Sequence, residues 1–381
     1  MYFDRHLLES LVKIRKSFLL LGPRQTGKST LIQLLKPSLT INLADEETFV
    51  DYLQNPGLVK STTKPHRTVF IDEIQRIPSL LNSLQVLIDS DKRLQFLLTG
   101  SSARKLRRGQ ANLLPGRLLT FELGPLNLLE LGEEFDINRA LAVGLLPGIY
   151  AEKDDSIAKK TLRSYAATYL KEEIQAEALT KNLEGFSRFF SVALSRSGDL
   201  MDFSKLAKEA SIERMSARRY YDILLDTLIA TEVAPFTKSQ KRRLVQHPTF
   251  YLFDVGVLNG CLNNFSASLD RMGTLFEHLV LQLIVSGAKS KDESIRVSRY
   301  RTDAGAEVDF LVERGSDLFA IEVKASRKVH AGDLRGLKSF KEFYGKKHQA
   351  FVIYLGANEL EIEGIRVLPL LKGMRVFGFG A

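Results

Sequence analysis

The sequence predicts an α/β protein: a five-stranded parallel sheet with crossover helices first, a helical stretch next, and a second α/β unit last. Three observations carry that expectation. Over residues 17–124, short runs rich in Leu, Val, Ile and Phe alternate with helical patterns. A glycine-rich loop joins the first of those runs to a helix. Strand-like runs return after residue 248, and two of them carry charge on alternate positions.

The early runs are SFLLLG (17–22), LTINLAD (39–45), TVFIDE (68–73), LQFLLTG (94–100) and LLTFELG (118–124). Each is nearly continuous in apolar residues, as a strand covered on both faces must be. From 126 to about 235 the apolar residues fall three and four apart, the helical period. The later runs are FYLFDVG, IRVSRYRT, EVDFLV, LFAIEVK and QAFVIYLG, with a long helix predicted over 273–286 between the first two. In the opening of AEVDFLVERGSDLFAIEVKAS, strict alternation predicts half-buried strands. Glu307, Asp309, Glu322 and Lys324 would share one face, with Val308, Phe310, Val312, Ile321 and Val323 on the other.

At 381 residues the chain is long enough for two or three domains. Its 44% hydrophobic and 26% charged residues are those of a soluble globular protein. A single cysteine, Cys261, excludes an internal disulfide framework and fits a reducing cytoplasm. The acidic, mixed start does not read as a secretory signal, and no apolar run is long enough to span a membrane. The balance of 54 Lys+Arg against 45 Asp+Glu, a net +9, points to a polyanionic partner, although a well-solvated basic surface has the same composition.

LLLGPRQTGKST places Gly22, four residues, then Gly27-Lys28-Ser29 between a strand and a helix. Such a loop turns its backbone N–H groups towards phosphate, and the helix N-terminus adds positive potential. Gly22, Pro23, Arg24, Gln25, Thr26, Gly27, Lys28, Ser29 and Thr30 are therefore the ATP-binding residues expected, with Lys28 on the β- and γ-phosphates and Ser29 on Mg²⁺. TVFIDEIQRIP supplies the second half: Asp72 to hold Mg²⁺ and Glu73 to polarise the attacking water. At the tip of the fourth run, Thr99, Ser101 and Ser102 compete to sense the γ-phosphate, with Ser101 preferred. Arg117, just before the fifth run, lies where ring-forming ATPases present an arginine to a neighbour's nucleotide; Arg107 and Arg108 are rivals.

Taken together, GPRQTGKST, VFIDEIQRIP, LLTGSSARKL, GRLLTFELGPLNLLE, GLLPGIY, KRRLVQHPTFYLFDVGVL, YRTDAGAEVDFLVE and AIEVKAS resemble the bacterial and archaeal AAA-type (AAA+) ATPases that carry a carboxy-terminal domain of unknown function. The resemblance spans nearly the whole chain. It implies an AAA-type domain with a helical lid (1–180), a winged-helix segment (181–247) and a restriction-endonuclease-like end domain (248–381).

Within 202–236 the pattern reads helix, short turn, longer helix, strand, the shape of a helix-turn-helix with a following wing. Arg214, Arg218 and Arg219 lie near the start of the second helix, and Lys238, Lys241, Arg242 and Arg243 lie in the wing. Both sets suit phosphate contacts, which position a protein without reading sequence. Asp309, then Glu322-Val323-Lys324, matches the D…E-x-K arrangement of restriction-endonuclease-like enzymes, with Glu277 as a further acid. Two such carboxylates can share a second divalent ion (Mg²⁺ or Mn²⁺) that activates water against a phosphodiester. Arg299 and Arg301 are placed to hold a phosphate.

The expected function is an ATP-dependent motor or remodeller on duplex or branched DNA. It would hydrolyse ATP in a homo-oligomeric ring, a hexamer being one candidate, with an end domain that grips and can cut DNA. Two rivals stand beside it: a nucleotide-gated regulatory or defence switch that docks proteins, and a metal-dependent nuclease that uses ATP only for assembly.

Overall fold

The structure, a computed structural model, describes residues 3–101, 116–170, 183–236 and 247–380. The first five strands are β1 (Phe18–Leu21), β2 (Leu39–Asn42), β3 (Thr68–Asp72), β4 (Gln95–Gly100) and β5 (Leu119–Glu122). They form one sheet in the order β2-β3-β4-β1-β5, and every pairing is parallel. Phe18, Leu20, Phe70 and Leu97 fill a core on one face, while Leu19, Leu21, Val69, Ile71, Phe96 and Leu98 fill the other. Because β4 separates β1 from β3, the ends of all three strands meet at one edge, where the phosphate loop, Thr99 and Asp72 lie side by side.

The remaining strands are β6 (Ala230–Pro235), β7 (Thr249–Leu252), β8 (Ile295–Arg301), β9 (Glu307–Arg314), β10 (Asp317–Lys324), β11 (Gln349–Tyr354), β12 (Leu360–Ile362) and β13 (Ile365–Pro369). They build an eight-stranded mixed sheet in the order β12-β13-β11-β10-β9-β8-β6-β7. The helix Leu269–Ser290, longer than its apolar period predicts, covers one face, and Arg335–Tyr344 covers the other. Helix Arg335–Tyr344 approaches so closely that a Cβ at Gly336 would lie 1.5 Å from the Glu307 carbonyl oxygen.

Ahead of β6 stand helices Leu183–Ser195, Phe203–Glu209 and Arg214–Asp226. Asp202 caps the second by accepting from the N–H groups of Ser204 and Lys205. Phe186, Phe189 and Tyr220 pack between them, and Tyr220 and Tyr221 are fully buried, as core aromatics rather than stacking platforms. β6 and β7 form an antiparallel hairpin, but β6 also pairs with β8, so the hairpin base belongs to the large sheet. One hydrophobic core runs without a break from Leu126 through these helices to Phe379.

The expected strict alternation in β9 does not hold. Phe310 and Val312 pack under Leu269–Ser290, whereas Val308 joins the cluster under Arg335–Tyr344. A bulge is the reason: Ser298 pairs with Leu311 and Tyr300 with Val308, so Asp309 and Phe310 together face the single residue Arg299. Nor are β9 and β10 half-buried. Helices cover both faces, and Asp309 and Glu322 are 8% and 7% exposed.

Candidate functional site

The loop between β1 and helix Lys28–Gln33 has the backbone its glycines require. Gly27 takes φ 89°, and a Cβ at Gly22 would lie 2.3 Å from the Leu123 carbonyl oxygen. Lys28 is buried, and its Nζ donates to the carbonyl oxygens of Gly22 (2.8 Å) and Pro23 (2.9 Å), while Thr26 Oγ1 donates to Pro23 O at 2.8 Å. The ammonium thus sits inside the curl that would receive a phosphate.

Arg5, which sequence reading passed over, braces this loop from below. Its guanidinium is buried and donates to the carbonyl oxygens of Thr26 and of Gly124 (2.9 Å), and to Glu130 Oε1 at 2.9 Å. Glu130 in turn closes a capping box with Asn127. In the sequence Arg5 is only a charge beside Asp4, ahead of a helix. A cavity of about 170 Å³ opens beside the loop, lined by Phe3, Arg5, Thr30, Leu31, Pro147 and Gly148 among others.

At the β3 tip, Thr99 Oγ1 donates to Asp72 Oδ1 and accepts from the Glu73 N–H at 3.2 Å. Glu73 adopts the left-handed conformation (φ 58°), which turns its carboxylate towards Gln75. Gln75 Nε2 donates to Glu73 Oε2 and to Ser101 Oγ (3.0 Å). Of the three sensor candidates, Thr99 touches the acid pair directly, Ser101 reaches it through Gln75, and Ser102 lies outside the described residues. Ser29 and Asp72 would be the residues to hold Mg²⁺, an ion that prefers oxygen ligands. Arg117 is partly exposed and its Nε pairs with both carboxylate oxygens of Asp89, at 2.9 and 3.0 Å. Arg107 and Arg108 fall outside the described residues.

The carboxy-terminal candidates also converge. Arg299 Nη2 lies against Glu277 Oε1 and 3.3 Å from Asp309 Oδ1; Lys324 Nζ donates to Glu322 Oε1 at 2.7 Å. Asp309 Oδ2 accepts the Val323 N–H at 2.8 Å, just past the last ladder pair between β9 and β10. Burial, with the Asp309 charge beside it, pushes Glu277 up to about 7, and the same two causes raise Glu322 well above the carboxylate range. Arg299, expected as a phosphate holder, is instead buried, and Arg301 pairs with Glu307 at 3.1 Å. Among the described residues no group of three or more His, Cys, Asp or Glu is arranged to hold a metal ion. The expected two-carboxylate metal site therefore does not fit: Arg299 occupies Glu277 and Asp309, and Lys324 occupies Glu322.

Beside Glu277, His278 turns the other way. Its Nε2 meets the Leu252 carbonyl oxygen at 2.6 Å, and its Nδ1 is buried without a partner, so a second proton would strand a charge. Burial pushes its pKa down to about 4. The unfolded chain takes up a proton near its ordinary 6.5 that the folded chain refuses, so this stabilisation is complete above that pH and lost as the pH falls towards 4. Urea unfolding across pH 4–7 should show that loss in the wild type and a flatter profile in His278→Gln; equal profiles would contradict it. Burial pushes the Cys261 thiol up to about 12, so it is not a reactive thiolate at neutral pH.

Arg214, Arg218 and Arg219 are exposed along one helix. Arg218 pairs with Asp222 at 3.2 Å and lies over the Phe203 ring, and Arg219 lies over Tyr220. Lys238, Lys241, Arg242 and Arg243 lie outside the described residues. No described helix is long and apolar enough to cross a membrane.

The parallel sheet, the glycine loop on β1 and the Asp72-Glu73 tip define the amino-terminal part as an AAA-type P-loop ATPase domain, and residues 14–132 match the family model described as AAA domain. Residues 134–268 and 272–372 match two families described only as domains of unknown function, DUF8612 and DUF4143. Similar proteins include the uncharacterized protein Rv2008c of Mycobacterium tuberculosis, 28% identical over 312 residues, covering 80% of this chain and 69% of that protein. The uncharacterized protein MJ1544 of Methanocaldococcus jannaschii is 23% identical over 325 residues, covering 76% of this chain and 70% of its own. Among solved structures, a Signal Transduction ATPase with Numerous Domains protein, PH0952 from Pyrococcus horikoshii, aligns at 12% identity and TM-score 0.24, over 76% of this chain and 47% of that one. At that score the likeness carries no argument.

Proposed function

We propose that this protein hydrolyses ATP and uses the cycle to move a carboxy-terminal module along or across DNA. The single observation that carries the reading is a mechanical link. Arg5 ties the phosphate loop at Thr26 to Gly124, and a Cβ on Gly124 would lie 2.8 Å from Ser286 Oγ, on the helix that frames the second sheet. Lys289 of that helix pairs with Glu122 of β5 at 2.8 Å. A loop that shifts with its nucleotide would thus push on the module carrying the exposed arginines.

In this reading Lys28 and Ser29 hold the phosphates and Mg²⁺ with Asp72. Glu73, steered by Gln75, takes the proton of the attacking water. The cavity lined by Phe3, Leu31, Pro147 and Gly148 receives the base. Arg117 leaves Asp89 to reach a neighbour's nucleotide in a ring of copies. We read the three helices with the β6–β7 hairpin as a winged helix, and the sheet from β8 to β13 as a restriction-endonuclease-like fold, with working units 1–180, 181–247 and 248–381. Contacts to the phosphate backbone from Arg214, Arg218, Arg219, Lys238, Lys241, Arg242 and Arg243 would grip DNA without reading its sequence.

Arg214→Ala/Arg218→Ala/Arg219→Ala should weaken binding to a labelled duplex about equally for unrelated sequences, and lower the slope of log affinity against log salt by about 2–3. An unchanged slope in fluorescence anisotropy would remove DNA from the reading. A second reading, a nucleotide-gated switch that docks a protein, is favoured by Met215, 81% exposed among these arginines. It would leave DNA binding weak and the triple variant silent.

A further inference from the structure

We propose that Arg299 is the resident cation of the carboxy-terminal acid cluster, filling the place a divalent metal would take, so that the native D…E-x-K site binds no metal and cuts nothing. The arginine is built in on all sides. Nη2 faces Glu277 and Asp309; Nη1 donates to the Gly198 carbonyl oxygen (3.2 Å) and Thr249 Oγ1 (3.1 Å). Nε lies 3.0 Å from Glu307 Oε1, a distance that makes an ion pair although the angle falls outside hydrogen-bond geometry. The planar fork suits such a ring of acceptors as an ammonium or a small ion would not.

The bulge in β9 is what aims the acids inward. It sets Asp309 and Phe310 against Arg299, and Asp309 then spends one oxygen on Arg299 and the other on the Val323 N–H. Glu277 Oε1 is shared by Arg299 and the Tyr251 hydroxyl. Glu322 Oε1 is held by Lys324; its Oε2 is buried and unpartnered. Mg²⁺ or Mn²⁺ asks for about six oxygens in near-octahedral array, and it would have to break these contacts to gather them. Remove the guanidinium, however, and Glu277, Glu307 and Asp309 are left facing one another with Glu322 nearby. Freed of that cation, their side chains could close on a divalent ion.

This goes beyond the DNA reading and stands or falls apart from it, because its test contains neither DNA nor nucleotide. Mn²⁺ added to the full chain is followed by the loss of its free-ion electron paramagnetic resonance signal. Wild type and Asp309→Asn should bind equally, Arg299→Lys should match them, and Arg299→Met should gain one saturable site that Arg299→Met/Asp309→Asn lacks. A saturable site in the wild type that Asp309→Asn removes would overturn the proposal, as would a folded Arg299→Met that gains none. If circular dichroism shows Arg299→Met unfolded, the wild type against Asp309→Asn decides alone.

Discussion

Lys28→Ala should lower ATP hydrolysis by about a thousandfold or more, the scale of losing a preorganised charge at a phosphoryl-transfer site. The effect should be chemical rather than structural. Lys28 Nζ donates to the loop carbonyls of Gly22 and Pro23, while the loop's shape rests on Gly27 in its left-handed turn and Gly22 packed against Leu123. The folded fraction and thermal midpoint should therefore move little. Glu73→Gln separates binding from reaction: the amide keeps the shape but cannot accept a proton, so ATP should still bind while turnover falls by about 10²–10⁴. A single-turnover assay beside equilibrium binding reads both. Wild-type turnover in Lys28→Ala would detach the loop from catalysis.

Asp254→Ala should cost about 3–5 kcal/mol, because it strips a buried carboxylate from the buried donors it pairs with. Asp254 is fully buried. Its Oδ2 accepts from Leu145 N (2.7 Å) and Gln282 Nε2 (2.8 Å), and its Oδ1 from Val257 N at 3.0 Å. Burial raises its pKa, and the N–H groups of Leu145, Val257, Gln282 and Gly256 work against that rise. One side chain thereby fastens the segment before Pro147, the helix Val255–Cys261 and the helix Leu269–Ser290. Gly144 and Gly256 permit the approach: a Cβ on Gly256 would lie 2.0 Å from the Val143 carbonyl oxygen. Against a total of roughly 5–15 kcal/mol, the loss would leave the chain marginal in urea unfolding. Asp254→Asn, which keeps one acceptor, should lose less. Since Pro147 and Gly148 line the cavity beside the phosphate loop, ATP should also bind more weakly.

Much of the amino-terminal half was legible because its signals are local. Five apolar runs gave five strands within three residues at each end, and the spacing of Gly22, Gly27, Lys28 and Ser29 carries its own geometry. What stayed hidden depends on long-range placement. Arg5 meets Thr26, Gly124 and Glu130 only after the fold brings them together, and nothing near Arg5 announces it. Asp254 reads as an ordinary helix cap until its second oxygen finds Leu145 and Gln282. In β9 the alternation of charge was real, but a bulge shifted it, and periodicity cannot see a bulge. Burial misled as well: strands with one polar face look half-exposed unless an Arg299 waits inside to neutralise them. β12, only three residues long, falls below what a periodic pattern can mark.

Coupling between the nucleotide site and a nucleic-acid grip is tested most directly by ATP turnover measured without DNA and with linear duplex, single-stranded and four-way DNA as salt is raised. Turnover should rise with duplex or four-way DNA, and the increment should fade as salt screens the phosphates, leaving the basal rate intact. A rate identical with and without every DNA, at low and high salt alike, would contradict it.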